Sequence, residues 1–194
     1  MIPRLDAAAL AAGDARSLAA LGEAATGVGF ATVYNTTLSA ARVTEVIETY
    51  RAFVHLTEAD KRALDMARTE ANPEYKLFFD VGFVPEAGHP LADKTVYAPN
   101  LWPVDPAFHR VIAAYYDDAC AVALDLLRAI ARSIGADAGH FDGAFDTPMA
   151  LLRGNFYPAR PDWAGARDFG IATHTDYGCL TLLATDGSPG LEVR

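Results

Sequence analysis

The hydrophobic period of this chain changes once, and that change constrains what it can fold into. As far as Ile134 the long apolar patterns repeat at three and four residues. Val43, Val46, Ile47, Tyr50, Phe53 and Val54 form one stripe, and Phe108, Val111, Ile112, Tyr115, Ala119, Val122, Leu126 and Ile130 form a longer one. Such spacings put each set on one face of a helix. From Met149 onward the apolar runs are short and separated by Pro, Gly and Asp: Met149 to Tyr157, Ile171 to His174, Leu180 to Ala184, and Leu191 onward. Runs of that length between turn residues are expected strands. Helices first and strands afterwards predict an α+β chain, an antiparallel sheet system under a helical layer. Neither βαβ alternation nor a glycine-rich phosphate loop is apparent.

Local signals place the elements. Ile2-Pro3-Arg4-Leu5-Asp6 starts extended, and Asp14 is positioned to cap a helix over Ala15 to Ala25 that ends near Gly27. Val28 to Tyr34 reads as a strand, and Ser39 as the N-cap of the first striped helix. Thr57 and Asp60 resemble a capping box opening a short helix from Lys61 to Ala67. Between Glu70 and Pro106 the prolines at 73, 85, 90, 99, 103 and 106 forbid regular helix. The aromatic residues among them indicate a segment that packs on something. The second striped helix runs from Ala107 to Ile134 and is closed by Gly135.

Composition bounds the partners. A length of 194 residues suits one domain, and 52% hydrophobic with 21% charged residues is a globular composition. A formal net charge of −9 repels phosphate backbones and anionic lipid, so no nucleic-acid partner is expected. No apolar run is long enough to span a bilayer, and Met1 to Gly13 has no basic region leading into one, so no membrane partner and a cytoplasmic location are expected. Cys120 and Cys179 form no CxxC pair and are expected to be buried small residues.

The chemistry concentrates at His174-Thr175-Asp176. Two residues apart on an extended backbone, the imidazole and the carboxylate project to the same side and can converge on one ion. Imidazole with a hard oxygen ligand suits Fe(II), whose 2-His-1-carboxylate triad leaves positions open for substrate, cosubstrate and dioxygen. The triplet alone is weak, since HxD arises by chance on the order of 0.3 times in a chain with five histidines. Without context, a surface histidine in a loop is the better reading.

The context is specific. Gly170 through Leu183, GIATHTDYGCLTLL, closely resembles the first iron-binding segment of the isopenicillin N synthase-like dioxygenases, G-I-x-x-H-T-D-x-G-x-L-T. Further pieces follow in that family's order. Ile2 to Asp6 is similar to its I-P-x-I-D opening, Gly29 to Asn35 to the strand after its first helix, and Phe53 through Lys61 to its F-x-L…K segment. Asn100-Leu101-Trp102-Pro103 resembles its N-x-W-P, and Arg153 to Pro158 its R-x-N-Y-Y-P strand.

The resemblance implies a double-stranded β-helix (jelly roll), incomplete at the C-terminus, with an N-terminal helical layer. Residues 1–147 would be the helical and mixed region and 148–194 the first part of the jelly roll. It implies Fe(II) held by His174 and Asp176, which are then also the catalytic residues. It further implies 2-oxoglutarate as cosubstrate, held in part by Asn155 and Tyr157, and dioxygen as oxidant of a small organic substrate, with hydroxylation the expected outcome. From the residues alone, Tyr157 remains open to being a core aromatic, and Arg153 to forming a structural ion pair rather than meeting an anion.

The family's second iron histidine and its Arg-x-Ser pair are not matched up to Arg194, and His55, His89, His109 and His140 lie in helical or irregular parts. The chain is therefore expected to be a fragment, a truncated product or one part of a split protein. Its expected partners are a small-molecule substrate and a missing C-terminal segment or a second copy, because unpaired strand edges invite association. Two other functions stay open: an oxidase of the isopenicillin N synthase type that does not use 2-oxoglutarate, and a catalytically inactive remnant acting as a binding module. Tyr75, Phe78, Phe79, Phe83, Tyr97 and Trp102 could line a pocket or anchor their segment to the core; they do not identify a substrate.

Overall fold

In this computed structural model the described residues are 1–57, 60, 77–159, 162, 163, 165 and 169–193. They form two compact units, one of Met1–Val43 with Ala114–Ala150 and one of Thr44–Ala113 with Leu151–Arg194. The expected short helix from Lys61 to Ala67, and Tyr75, lie outside the described residues. Its predicted start does not: the Thr57 hydroxyl donates to Asp60 Oδ2 at 2.6 Å, and the Asp60 backbone N–H donates to Thr57 Oγ1 at 3.2 Å.

In the first unit, β1 (Arg4–Asp6) leads into α1 (Ala7–Ala11) and α2 (Ala15–Thr26), and β2 (Thr32–Tyr34) returns parallel to β1. Asp6 ends the strand and starts the helix, its Oδ1 accepting from Ala8 N at 2.9 Å. Its Oδ2 accepts from Asn35 Nδ2 at 3.0 Å, which ties the far end of β2 to the same carboxylate. Gly13, at φ +77, reverses the chain after α1 with hydrogen bonds from Gly13 N to Leu10 O and from Asp14 N to Ala9 O. This pairing is a Schellman stop. Asp14 then caps α2 through Ser17 N at 2.8 Å. Leu5 and Leu10 are the buried anchors.

Parallel strands joined through helices correct the expectation of no βαβ connection. Three-residue strands are too short to show a period of two, so the sequence carries no local trace of the pairing. The expected strand over Val28 to Tyr34 is trimmed to its last three residues, because Gly29 takes up φ +73 in the turn that precedes them.

The same unit holds most of the longest helix, α4 (Pro106–Ser133). Val122, Leu126, Leu127, Ala129 and Ala131 are buried along it. Gly135, at φ +78, ends it with a second Schellman pair, Gly135 N to Arg132 O and Ala136 N to Ala131 O. Arg128 reaches the following 3-10 segment, Ala138–Phe145, donating from Nε and Nη2 to the two oxygens of Asp142 at 3.1 and 3.0 Å. Cys120 is half-buried, and burial pushes its thiol pKa up; Cys179, in the second unit, is exposed, contrary to expectation.

The second unit contains the greater part of α3 (Ala40–Val54), the antiparallel pair β3 (Leu77–Gly82) and β4 (Leu151–Phe156), and the start of α4. Its core is aromatic. Phe79 lies 4.9 Å from Phe53 and 5.2 Å from Phe108 between ring centroids, and Tyr50 lies 5.7 Å from Phe108. Asn100 braces the end of β3 by donating to Gly82 O at 2.9 Å and accepting from Gly82 N at 2.8 Å, which explains an asparagine in the N-x-W-P segment. β3 is not apparent in the sequence, because the apolar triplet Leu77-Phe78-Phe79 hides alternation.

Residues 171–193 form no ladder among the described residues, although strands were expected at Ile171 to His174, Leu180 to Ala184 and from Leu191. A segment counts as a strand only when its N–H and C=O groups pair with a neighbour, and no described segment pairs with this one. What is established is therefore an α+β chain of helices with two small sheets. Among the described residues no helix is long and apolar enough to cross a membrane.

Candidate metal centre

β4 alternates between an exposed face bearing Leu151, Arg153 and Asn155 and a half-buried face bearing Leu152, Gly154 and Phe156. Tyr157 follows two residues after Asn155 and is also exposed. Arg153 pairs in register with Asp80 of β3, donating from Nε and Nη2 to the two carboxylate oxygens at 2.7 and 2.6 Å. This is a two-point, charge-assisted fork. Half-exposed as it is, the pair contributes about 0–1 kcal/mol to stability. Arg153 is thus held by a carboxylate of the chain itself.

The Tyr157 ring lies against Gly170, where a β-carbon would fall 2.5 Å from Tyr157 Cδ1. Gly170 opens the segment containing His174 and Asp176, so this contact brings the tyrosine to the start of that segment. Further along, Asp186 Oδ1 accepts from Ser188 N at 2.9 Å, and its Oδ2 meets Arg51 Nη2 of α3 at 3.3 Å. Those hydrogen bonds, Ser188 first, hold the Asp186 carboxyl below the ordinary aspartate range.

His174 and Asp176 face each other, with Nε2 3.3 Å from Oδ1. Their side chains are 48% and 54% exposed, so a ligand can reach both. The other ring nitrogen, Nδ1, lies 2.7 Å from the carbonyl oxygen of Ala172. A carbonyl can only accept, so Nδ1 carries the proton. In the neutral ring Nε2 then presents a lone pair to a carboxylate oxygen. Two acceptors at that distance repel each other unless a proton or a cation lies between them. First-row metal bonds of about 2.1 Å to imidazole nitrogen and carboxylate oxygen, the length familiar from zinc, subtend such a separation at roughly 100°. A backbone carbonyl on the far nitrogen is also one of the ways in which metal-binding histidines are oriented. The donor set fits a divalent ion such as Fe(II).

Among the described residues no group of three or more His, Cys, Asp and Glu gathers around one point. His55 packs edge-on to Phe156, His109 stacks 4.2 Å from Trp102, and His89 Nδ1 accepts from Leu91 N. A groove of about 380 Å³ runs between Glu45 to Leu56 and Pro103 to Val111 and contains none of the predicted site residues. Asp80, Gly170 and Asp186 were not predicted from sequence. For Asp80 the one signal was a charged residue directly after the apolar triplet Leu77-Phe78-Phe79.

Residues 2–105 match the family described as non-haem dioxygenase in morphine synthesis, N-terminal. The chain belongs to that family. Among its relatives, the 2-oxoglutarate-Fe(II) type oxidoreductase hxnY of Emericella nidulans is 29% identical over 171 residues, 76% of this chain and 49% of the relative. The 2-oxoglutarate-dependent dioxygenase ecdK of Aspergillus rugulosus is 31% identical over 72% of this chain and 41% of its own length. Among solved structures, a C-terminally truncated Neurospora crassa protein in apo form superposes with a TM-score of 0.69 at 26% identity, over 81% of this chain and 62% of that one. This dioxygenase-family chain spans about half or less of the curated relatives' length.

Proposed function

We propose that this sequence carries the first part of the active site of a 2-oxoglutarate-dependent Fe(II) dioxygenase that oxidises, and in the expected case hydroxylates, a small organic molecule. The observation carrying the reading is the pairing of His174 Nε2 with Asp176 Oδ1 at 3.3 Å, with Nδ1 committed to the Ala172 carbonyl. In the proposed site these two side chains hold Fe(II) and the carbonyl keeps the ring in its ligating tautomer. Asn155 and Tyr157 offer an amide and a phenol to the cosubstrate, the phenol donating to a carboxylate. Bound iron and 2-oxoglutarate supply the redox chemistry with dioxygen; the protein's share is to position the groups and exclude competing reactions. We further propose that 148–194 is the first part of a jelly roll, 1–147 its helical and mixed companion, and that the third metal ligand comes from outside the described residues.

The relatives' names, both of which include 2-oxoglutarate and one of which includes Fe(II), support this reading over an oxidase that does without the cosubstrate. The test uses the longest form of the protein that carries this sequence. Wild type should retain about one Fe(II) per chain after desalting and form succinate from 2-oxoglutarate. His174→Ala and Asp176→Ala should each lose most of the iron while keeping the wild-type circular dichroism spectrum. Full iron occupancy in either variant refutes the assignment.

A further inference from the structure

We propose that the groove between α3 and the start of α4 is a binding site for a small organic cation, an ammonium group carried on an apolar body. The proposal is independent of the dioxygenase reading, because the groove contains none of the residues assigned to iron or 2-oxoglutarate and lies wholly within the second unit. Its volume of about 380 Å³ is near the lower end of small-molecule sites, which run from roughly 300 to 1,000 Å³. Its floor is apolar. Ala52 and Phe53 come from α3, Leu56 from just beyond it, and Phe108 and Val111 from α4. Phe53, Phe108 and Val111 are buried, whereas Leu56 is 39% exposed.

The polar side chains around this floor are acceptors. Glu45, Glu48 and Asp105 supply carboxylates, and the Thr49 hydroxyl donates its proton to the Glu45 carbonyl at 2.7 Å. Among the described residues no lysine, arginine or histidine lines the groove. The acidic charge is only partly answered nearby. Arg51 meets Glu48 Oε1 with one nitrogen and Asp186 Oδ2 at 3.3 Å with another, so one guanidinium serves two carboxylates and leaves the trio net negative. Asp105 Oδ1 accepts from Ala107 N at 2.8 Å, a neutral donor that orients the carboxylate without cancelling its charge. An anion entering the groove meets like charge and no donor side chain. An ammonium brings three donors to these acceptors, while the body attached to it covers the apolar floor. A bare divalent ion suits the groove less, since it takes about six oxygens at short range. Among the described residues no three of His, Cys, Asp and Glu gather around one point. The net charge of −9 draws cations toward the protein from a distance.

The probes are 2-phenylethylamine, 2-phenylethanol and 3-phenylpropanoate, matched in shape and respectively cationic, neutral and anionic at neutral pH. NMR titrations into the longest form of the protein read their relative affinities. Fe(II) and 2-oxoglutarate are left out, so that no metal competes for the amine and the outcome does not bear on the dioxygenase reading. Wild type should bind the amine about tenfold more tightly than the alcohol, and the carboxylate most weakly. Removing one charge, in Glu48→Gln or Asp105→Asn, should cut the advantage of the amine over the alcohol about threefold, the scale of an exposed ion pair. The double variant should nearly abolish that advantage and leave alcohol binding unchanged. Asparagine caps a helix as well as aspartate does, and Glu48 is exposed, so both substitutions are compatible with the fold. Ala52→Trp fills the groove from an exposed position of α3 and should block amine and alcohol alike. Equal wild-type affinity for amine and alcohol, tighter binding of the carboxylate, an unchanged ratio in the double variant, amine binding that survives Ala52→Trp, or no binding of any probe overturns the proposal.

Discussion

The ring of Tyr50 lies so close on Gly154 that a β-carbon at position 154 would fall 2.2 Å from both Cδ1 and Cε1. The ring cannot easily withdraw, because Phe108 at 5.7 Å and Phe79 at 6.3 Å flank it. Glycine here is a packing requirement of helix against sheet. Gly154→Ala should therefore overpack the aromatic core and cost about 1–3 kcal/mol, read as a lower urea midpoint at unchanged slope. A midpoint equal to wild type would mean that the Tyr50 contact yields freely.

Gly135 is needed for the opposite reason. No heavy atom lies within 4 Å of where its β-carbon would be, yet its φ is +78. Gly135→Ala should cost about 1–2 kcal/mol through backbone strain alone. Gly135→Asn should cost less, because asparagine tolerates the left-handed region. Thermal unfolding of the three forms checks the order Gly, Asn, Ala; alanine ranking with asparagine would count against the strain account.

Asp14 makes the cap of α2 dependent on pH. The hydrogen bond from the Ser17 backbone, then that from the Ser17 side chain, lower its pKa below the ordinary 3.8. A depressed folded value means that the stabilisation is fully present above the unfolded value and is lost as pH falls through the folded one. Asp14→Ala should accordingly be less stable than wild type at neutral pH. The gap between their urea midpoints should close as pH drops below about 3.8. A gap that persists unchanged at the acid end would assign the effect to something other than the carboxylate.

What the sequence revealed and what it hid follow from range. Asp14, Ser39 and Gly135 act on N–H and C=O groups within a few residues, so α2, α3 and the end of α4 could be placed from their neighbours. Three- and four-residue spacing likewise found Phe108, Val111, Ile112, Tyr115, Val122 and Leu126, all buried. Partnership over distance was hidden. Leu5 pairs with Val33 across a stretch of helix, and Asp80 meets Arg153 only because β3 and β4 share a register. At the candidate site, the facing of His174 and Asp176 is an i to i+2 relation that any extended backbone allows. The Ala172 carbonyl behind the imidazole, Gly170 under Tyr157 and the Arg51 anchor on Asp186 required coordinates.

The contact of Tyr157 with Gly170 supplies a test in which binding and folding separate. A β-carbon at position 170 would press on Cδ1 of an exposed ring that can swing aside, unlike the enclosed ring of Tyr50. Gly170→Ala should thus change global stability by less than about 0.5 kcal/mol, as for most surface substitutions. On the dioxygenase reading the displaced phenol no longer meets the cosubstrate, and the Kd for 2-oxoglutarate should rise about tenfold, equivalent to about 1.4 kcal/mol. Tyr157→Phe removes the hydroxyl with the ring in place and should weaken 2-oxoglutarate similarly, while Fe(II) affinity stays near wild type because His174 and Asp176 are untouched. Isothermal titration of both ligands into both variants decides it. If Gly170→Ala lowers the unfolding midpoint strongly and leaves 2-oxoglutarate binding unchanged, the tyrosine is a structural prop and the cosubstrate is held elsewhere.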